Sequence, residues 1–149
     1  MELKNQQTIN APVQHVYDAL NDPEILRQCI PGCESIEKTS DTHMDAKVTL
    51  KIGPIKASFA GELEISDLNP PSQYTLNFSG SGGSAGNASG SASVELEAES
   101  ADSTVISYDV KADVTGKIAQ VGNRLISSTA NVLAKKFFKQ FGELVEAEQ

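Results

Sequence analysis

The chain has 149 residues and a formal net charge of −8, so we expect one domain over residues 1–149 with a real hydrophobic core. The acidity excludes nucleic acid as a partner and disfavours broad docking on anionic lipid, although a local lysine cluster can still act. With no apolar run of the ~18–20 residues that span a membrane, a polar N-terminus unlike a signal peptide, and only Cys29 and Cys33 as cysteines, we expect a reduced, cytoplasmic protein.

The first thirty residues indicate a strand followed by two short helices. Residues 2–10 read as the strand, and Pro12 suits the first turn of a helix. Asp22 can cap a second helix with Pro23 at its first position, and residues 30–32, Ile-Pro-Gly, end that helix.

Residues 35–114 alternate between apolar and polar side chains with a period of two, which indicates six further strands. Each strand has one wet face, and this favours an antiparallel sheet. The stretch 79–92 is almost entirely Gly, Ser and Ala, and within it residues 79–86 predict a mobile hairpin tip or, as the functional alternative, a flexible mouth to the cavity. It lacks the lysine of a phosphate-binding loop.

Residues 117–145 predict one long C-terminal helix, because apolar side chains recur there at steps of three and four. The members of this apolar stripe are Ile118, Val121, Leu125, Ile126, Val132, Leu133, Phe137, Phe141 and Leu144. The stripe must be buried against the strands, so we predict an α+β fold in which a seven-stranded curved antiparallel sheet wraps around this helix.

Small residues on the helix bear on function. Gly122 and Thr129 fall on nearly the same bearing as Leu125 and Leu133. They leave room either for close packing of helix on sheet or for a cavity, and the pattern alone leaves both open.

If a cavity exists, we predict that its ligand-binding lining is almost wholly apolar. The predicted lining is Val48, Leu50, Phe59, Leu63, Tyr74, Leu76, Phe78, Tyr108, Val110, Leu125, Thr129 and Leu133. Tyr74 and Tyr108 could orient one polar end of a ligand. We predict no catalytic residue, no metal site and no cofactor.

The helical lysines Lys135, Lys136 and Lys139 form the remaining candidate site. Their position in the C-terminal half of the helix favours solvation and dipole matching. The alternative is a docking patch for an acidic partner or a membrane surface.

Several motifs together resemble the family of the G subunit of carbon monoxide dehydrogenase, within the START/Bet v 1-like (SRPBCC) superfamily. Ala-Pro at 11–12 and Asp-Pro at 22–23 are shared widely in the superfamily. Ile-Pro-Gly-Cys at 30–33, Gly-Pro-Ile at 53–55 and Gly-Lys-Ile-Ala-Gln at 116–120 complete the match, and the first and last of these are more specific to the family.

The resemblance implies a helix-grip fold with a hydrophobic cavity. It further implies a non-catalytic accessory protein that holds a quinone or lipid and serves a molybdenum-containing dehydrogenase, through membrane recruitment or supply of an electron acceptor. Peripheral contact with the inner face of the membrane would follow. Family members often continue into a membrane-anchoring segment, whereas this sequence ends at Gln149, which argues against anchoring by the chain itself.

Two other functions stay open at this point. A cyclase- or hydrolase-type enzyme on the same fold would need a titratable group in the cavity, for which Tyr74, Tyr108 and Lys136 are the inward candidates. A pure assembly module would have a filled core and an apolar surface patch.

Overall fold

One antiparallel sheet of seven strands and three α-helices make up the fold, in a computed structural model that describes residues 1–147. The strands lie in the order β1-β7-β6-β5-β4-β3-β2. Their bounds are β1 Glu2–Ile9, β2 Cys33–Lys38, β3 His43–Ile52, β4 Ile55–Asn69, β5 Gln73–Ser81, β6 Asn87–Ser100 and β7 Ser103–Thr115. The helices are α1 Val13–Leu20, α2 Pro23–Cys29 and α3 Asn123–Ala147, with 3-10 segments at Gly83–Ala85 and Gly116–Val121.

The predicted α+β helix-grip architecture is confirmed. The sheet curves around α3, and α1 and α2 follow the first strand as expected. The start of α2 is fixed locally, because the Asp22 side chain accepts a hydrogen bond of 2.9 Å from the Glu24 backbone N–H and Pro23 occupies the first turn.

The predicted helix over 117–145 is wrong at its beginning. Residues Gly116–Val121 form a 3-10 segment, and Gly122 interrupts the chain with φ +97° before α3 starts at Asn123. That φ lies in the left-handed region, which glycine tolerates and a right-handed α-helix excludes. The continuous apolar pattern across this point concealed the break.

The buried face of α3 is also rotated from the predicted stripe. Phe141 is fully buried, whereas Val132 is 48% exposed. At 100° per residue, Val132 lies on the opposite side of the helix from Phe141. Phe138, which the predicted stripe omits, lies within the aromatic cluster against Phe137 and Phe141, at ring distances of 5.0 and 6.5 Å.

Burial along α3 increases toward its C-terminal end. Leu125 and Thr129 are half-buried, whereas Phe141 and Val145 have no exposed surface. The last turns are also tied to the sheet, because the Glu146 carboxylate accepts a 2.9 Å hydrogen bond from the Asn10 backbone N–H. The helix is therefore fixed at its end and covered less completely at its start.

Most of the Gly/Ser-rich stretch 79–92 belongs to strands, and the hairpin tip predicted at 79–86 is confined to the residues between β5 and β6. Strand β5 runs to Ser81 and β6 begins at Asn87, with the short Gly83–Ala85 segment between them. A Cβ at Gly90 would lie 2.1 Å from the Lys111 carbonyl oxygen and 2.9 Å from the Phe78 ring. Glycine is needed there because neighbouring backbone and ring approach closely, which composition alone does not reveal.

Candidate functional site

An apolar cavity of ≈270 Å³ lies between the concave face of the sheet, α2 and α3. Its walls come from every strand except β2 and from all three α-helices, and they are almost all aliphatic or aromatic. They are Leu3, Leu20, Asn21, Leu26, Ile30, Met44, Leu63, Ile65, Tyr74, Leu76, Ala92, Val94, Ile106, Tyr108, Val110, Ala134, Phe137 and Phe138. The terminal helix therefore does not pack flush on the sheet, although Gly122 and Thr129, the small residues that suggested a space, do not line it.

Five of the twelve predicted lining residues surround this cavity: Leu63, Tyr74, Leu76, Tyr108 and Val110. The other seven do not: Val48, Leu50, Phe59, Phe78, Leu125, Thr129 and Leu133. All seven are half-buried. They belong to β3, β4, β5 and the first half of α3. As ligand contacts, all twelve stay predictions.

The half-buried set continues the apolar inner face of the sheet beyond the cavity. Along β4, Leu63 lines the cavity and Phe59 comes four residues nearer the β3–β4 turn at Gly53 and Pro54. Val48 lies directly opposite Phe59 in the β3–β4 register. The apolar inner face therefore continues from the cavity to that turn.

Sequence reasoning missed the part of the lining that comes from α1, α2 and β1. Leu3, Leu20, Leu26 and Ile30 belong to it. The apolar face of the two short helices was visible as a pattern, but the pattern could not show which side of the sheet they cover. On α3, Ala134 and Phe138 would have been found with the correct helical phase.

Two tyrosines supply the hydroxyl groups of the lining. Burial and the neighbouring Tyr17 raise the pKa of Tyr74, whose ring meets that of Tyr17 edge-on at 5.6 Å. Burial raises the pKa of Tyr108, against a hydrogen bond with the Gln7 side chain that lowers it. Both hydroxyls are therefore neutral hydrogen-bonding groups at neutral pH.

Lys136, which we predicted as an inward candidate, is exposed on the outer side of α3. The prediction was wrong because it followed the misplaced helical phase. Within residues 1–147, the cavity lining contains no acid, no histidine and no lysine.

Unused hydrogen-bonding capacity remains next to the cavity. The Asn21 side chain donates to the Tyr17 carbonyl oxygen at 2.9 Å. In the part of the chain that is described, its own Oδ1 and the Tyr17 hydroxyl are buried with no hydrogen-bond partner. Asn21 and Tyr17, at the end of α1, therefore form the polar end of an otherwise apolar site.

A larger hollow of ≈830 Å³ lies on the outer face of the sheet, where Ser, Asn and charged side chains line an open polar trough. At its edge, His43 Nε2 is 3.3 Å from Asp45 Oδ1 and 3.9 Å from Glu62 Oε1. These side chains point away from the cavity, because Met44 and Leu63, their neighbours in sequence, line it. The apolar cavity, though smaller, is the site that suits ligand enclosure.

Over residues 1–147, no helix is both long enough and apolar enough to pass through a bilayer. The lysines Lys135, Lys136 and Lys139 are all exposed on α3.

The chain shares its fold with several solved structures. A conserved protein from Geobacillus kaustophilus superposes with a TM-score of 0.92 at 28% identity, over 99% of this chain and 96% of that one. A START superfamily protein from Mycobacterium smegmatis gives 0.76 at 12% identity, over 99% of both chains. The ZhuI aromatase/cyclase from Streptomyces sp. R1128 gives 0.67 at 12% identity, over 98% and 93%.

Comparison with family models identifies the family. No curated protein is similar enough to count as a match. The model of CoxG, the G subunit of carbon monoxide dehydrogenase, matches residues 6–146, nearly the whole chain, as the Pro-Gly-Cys and Gly-Lys-Ile-Ala-Gln motifs led us to expect. The chain belongs to the carbon monoxide dehydrogenase CoxG family.

Proposed function

We propose that this protein is a non-catalytic carrier that encloses a small lipophile, a quinone or a lipid, and serves a molybdenum-containing dehydrogenase. The observation that carries the proposal is the apolar cavity beneath α3, with only Asn21, Tyr74 and Tyr108 as polar wall residues among those described. Sites of this kind bind by apolar enclosure and use a few polar groups for orientation.

The cavity volume fits the ring system of a quinone. An engineered apolar cavity of about 150 Å³ holds one benzene molecule, and this one measures ≈270 Å³. The cavity has nearly twice that volume, so a quinone head group larger than one benzene ring fits, and each buried CH₂ equivalent contributes about 0.8 kcal/mol. A longer tail would follow the half-buried inner face of β3 and β4, past Val48.

The lining supports carriage over catalysis. Acid–base chemistry needs a group whose pKa lies near the working pH, and the titratable groups of the described lining are the hydroxyls of Tyr74 and Tyr108, whose pKa values are raised. The family takes its description from carbon monoxide dehydrogenase. We therefore expect the protein to act beside an enzyme of that type, bringing it to the membrane or supplying its electron acceptor.

Ligand binding is tested first by native mass spectrometry and solvent extraction of the purified protein, followed by calorimetric titration with a short-chain naphthoquinone and with a fatty acid. We expect 1:1 binding of at least one of them. A protein that binds neither, and carries no extractable lipophile, would refute the carrier proposal.

Partnership is tested separately, by reconstituting a molybdenum hydroxylase with a quinone as electron acceptor. We expect faster quinone reduction when the protein is present, and none of that gain when it is replaced by an equal mass of albumin. Conversion of the quinone by the protein alone would contradict a non-catalytic role.

A further inference from the structure

A histidine and three carboxylates meet on the outer face of the sheet, on the side of β3 and β4 that is turned away from the cavity. His43 and Asp45 are two residues apart on β3, so their side chains leave the same face of that strand. In the β3–β4 register Asp45 lies directly opposite Glu62, and His43 lies directly opposite Glu64. We call these four residues the outer cluster. Only strand pairing brings them together, so the sequence alone does not reveal the cluster.

The strands beneath the outer cluster form a regular template. Residues 43–52 pair with residues 55–64 without a bulge, whereas the β2–β3 register shifts between Cys33 and Ser35. Met44 and Leu63, the inward neighbours of the cluster, also form a register pair, and Met44 is almost fully buried. Side chains on strands that are packed in this way keep their mutual geometry, which a metal site requires.

Three possible ligand atoms converge in the outer cluster. His43 Nε2 is 3.3 Å from Asp45 Oδ1 and 3.9 Å from Glu62 Oε1, and one donor atom from each of the three residues lies within 4.8 Å of the others. Ligands about 2.1 Å from a tetrahedral zinc ion are about 3.4 Å from one another. The first distance already matches this spacing, and a rotation of the exposed Glu62 side chain closes the others.

Glu64 is placed to orient the histidine. Its Oε2 lies 4.0 Å from His43 Nδ1, the ring nitrogen that does not face Asp45. A carboxylate that closes on this nitrogen holds the Nδ1–H tautomer and leaves the Nε2 lone pair for a metal, and metal-binding histidines almost always have such a partner. The His43 side chain is 29% exposed, so an ion can reach the ring from solvent.

The outer cluster also carries negative charge that no described lysine or arginine neutralises. Asp45 faces Glu62 on β4 and Glu37 on β2, and like charges directly opposite one another destabilise a sheet. Lys47 lies two residues beyond Asp45 on the same face, but among the described residues it makes no ion pair with these carboxylates. A bound cation would relieve this repulsion, so charge and ligand geometry favour the same occupant.

The donor set favours a transition metal over calcium or magnesium. Calcium and magnesium prefer shells made of oxygen ligands, whereas an imidazole nitrogen suits zinc, nickel, iron and copper. Zinc sites with three protein ligands keep a further position for water or a substrate atom. In the outer cluster that position would face the polar trough of ≈830 Å³, which Asp45 and Glu62 line.

We propose that His43, Asp45 and Glu62 bind one divalent transition-metal ion such as zinc, and that Glu64 orients the histidine. The site lies on the opposite face of the sheet from the apolar cavity, so it is independent of the carrier function. A water molecule, or a donor atom from another molecule seated in the trough, completes the coordination.

Metal binding is measured by calorimetric titration of the full chain, freed of metal and carrying no polyhistidine tag, with zinc and with magnesium. We expect one zinc ion per chain and binding of magnesium that is weaker by about tenfold or more. Glu64→Gln should weaken zinc binding by roughly tenfold. His43→Gln and Asp45→Asn remove direct ligands and should each weaken it by more.

The charge change has a matched control. Asp45→Asn with Glu62→Gln removes two negative charges from the outer cluster, and Glu95→Gln with Glu97→Gln removes two from exposed positions on β6. Only the first double variant should lose zinc binding. Removing carboxylates that repel one another should not lower the melting temperature of the metal-free protein, so circular dichroism separates loss of the site from loss of the fold.

Nuclear magnetic resonance identifies the histidine directly, because the chain has only His15 and His43. The imidazole signals that are missing from His43→Gln should shift when zinc is added, and those of His15 should not. Zinc binding that survives His43→Gln, as binding at Cys29 and Cys33 would, overturns the proposal. Equal loss in both double variants, or no zinc binding by the original protein, overturns it as well.

Discussion

Replacing Ala134 by phenylalanine should block the cavity from the helix side. Ala134 lies on α3 and lines the ≈270 Å³ space, and a ring of benzene size needs about 150 Å³. The remaining space, about 120 Å³, is too small for even one free aromatic ring by the same measure. If about five ligand carbons are displaced, binding loses about 4 kcal/mol, or on the order of 1,000-fold in Kd.

The same substitution should not destabilise the fold. Removing an empty volume of about 150 Å³ is worth at most about 3.6 kcal/mol at 24 cal/mol per Å³, and overpacking costs about 1–3 kcal/mol. The melting temperature should therefore stay level or rise while affinity falls. Calorimetric titration with a naphthoquinone measures the affinity, and Ser128→Phe, on an exposed position of the same helix, is the control. Wild-type affinity in an Ala134→Phe protein whose structure shows the ring inside the cavity would refute the reasoning.

Three further predictions concern stability. The Phe141 ring is fully buried and stacks on the Phe137 ring at 5.8 Å. Phe141→Ala should therefore lower the free energy of unfolding by about 3–5 kcal/mol in urea titrations, and a loss no greater than that of Phe141→Leu would contradict this. Thr104→Val removes the 2.8 Å hydrogen bond from the buried hydroxyl to the Ala11 carbonyl oxygen and should cost about 1–3 kcal/mol, whereas Thr104→Ser should recover most of it. Burial raises the pKa of the Cys29 thiol to about 11 from 9, so the contribution of this thiol to the free energy of unfolding is complete below pH 9 and is lost as the pH rises to 11, by up to about 3 kcal/mol. Cys29→Ala should therefore flatten the dependence of the unfolding free energy on pH between pH 9 and pH 11. Parallel pH dependences for the variant and the original protein would speak against this.

The architecture could be predicted from the sequence because apolar residues recur with one regular period in the strands and another in the helix. Alternation over residues 35–114 and the three-four spacing after residue 117 separate strands from helix. The α2 start was equally accessible, since a cap by Asp22 before Pro23 is a local signal. Such features depend on a few neighbouring residues and need no knowledge of the tertiary structure.

The errors on α3 arose where tertiary contacts override local pattern. Ile118 and Val121 keep the helical spacing, but Ile118 is buried against the strands, and the turn through Gly122 that achieves this interrupts the helix. Val132 is apolar enough to join a stripe and yet faces solvent. Periodicity determined that a helix exists, and packing determined its start and rotation.

The cavity lining was predictable only on the sheet. Inward positions of a strand follow from alternation, so Leu63, Tyr74 and Tyr108 were found. The contributions of Leu20 and Leu26 depend on how α1 and α2 fold back over the sheet, and no local pattern encodes that placement. The seven half-buried residues lie outside the cavity lining for a related reason: alternation shows which face a residue is on, but not how far along the strand the space closes.

Ligand exchange should begin at the first turns of α3. The last turns are clamped by Phe141, Val145 and the tie between Glu146 and Asn10, whereas the first turns follow Gly122, whose surroundings are open, since a Cβ added there would meet no atom within 4 Å. Weakly covered ends of helices open at lower free energy than buried ones. A helix held in this asymmetric way is expected to move first at its leading turns, and such movements would leave the aromatic cluster undisturbed.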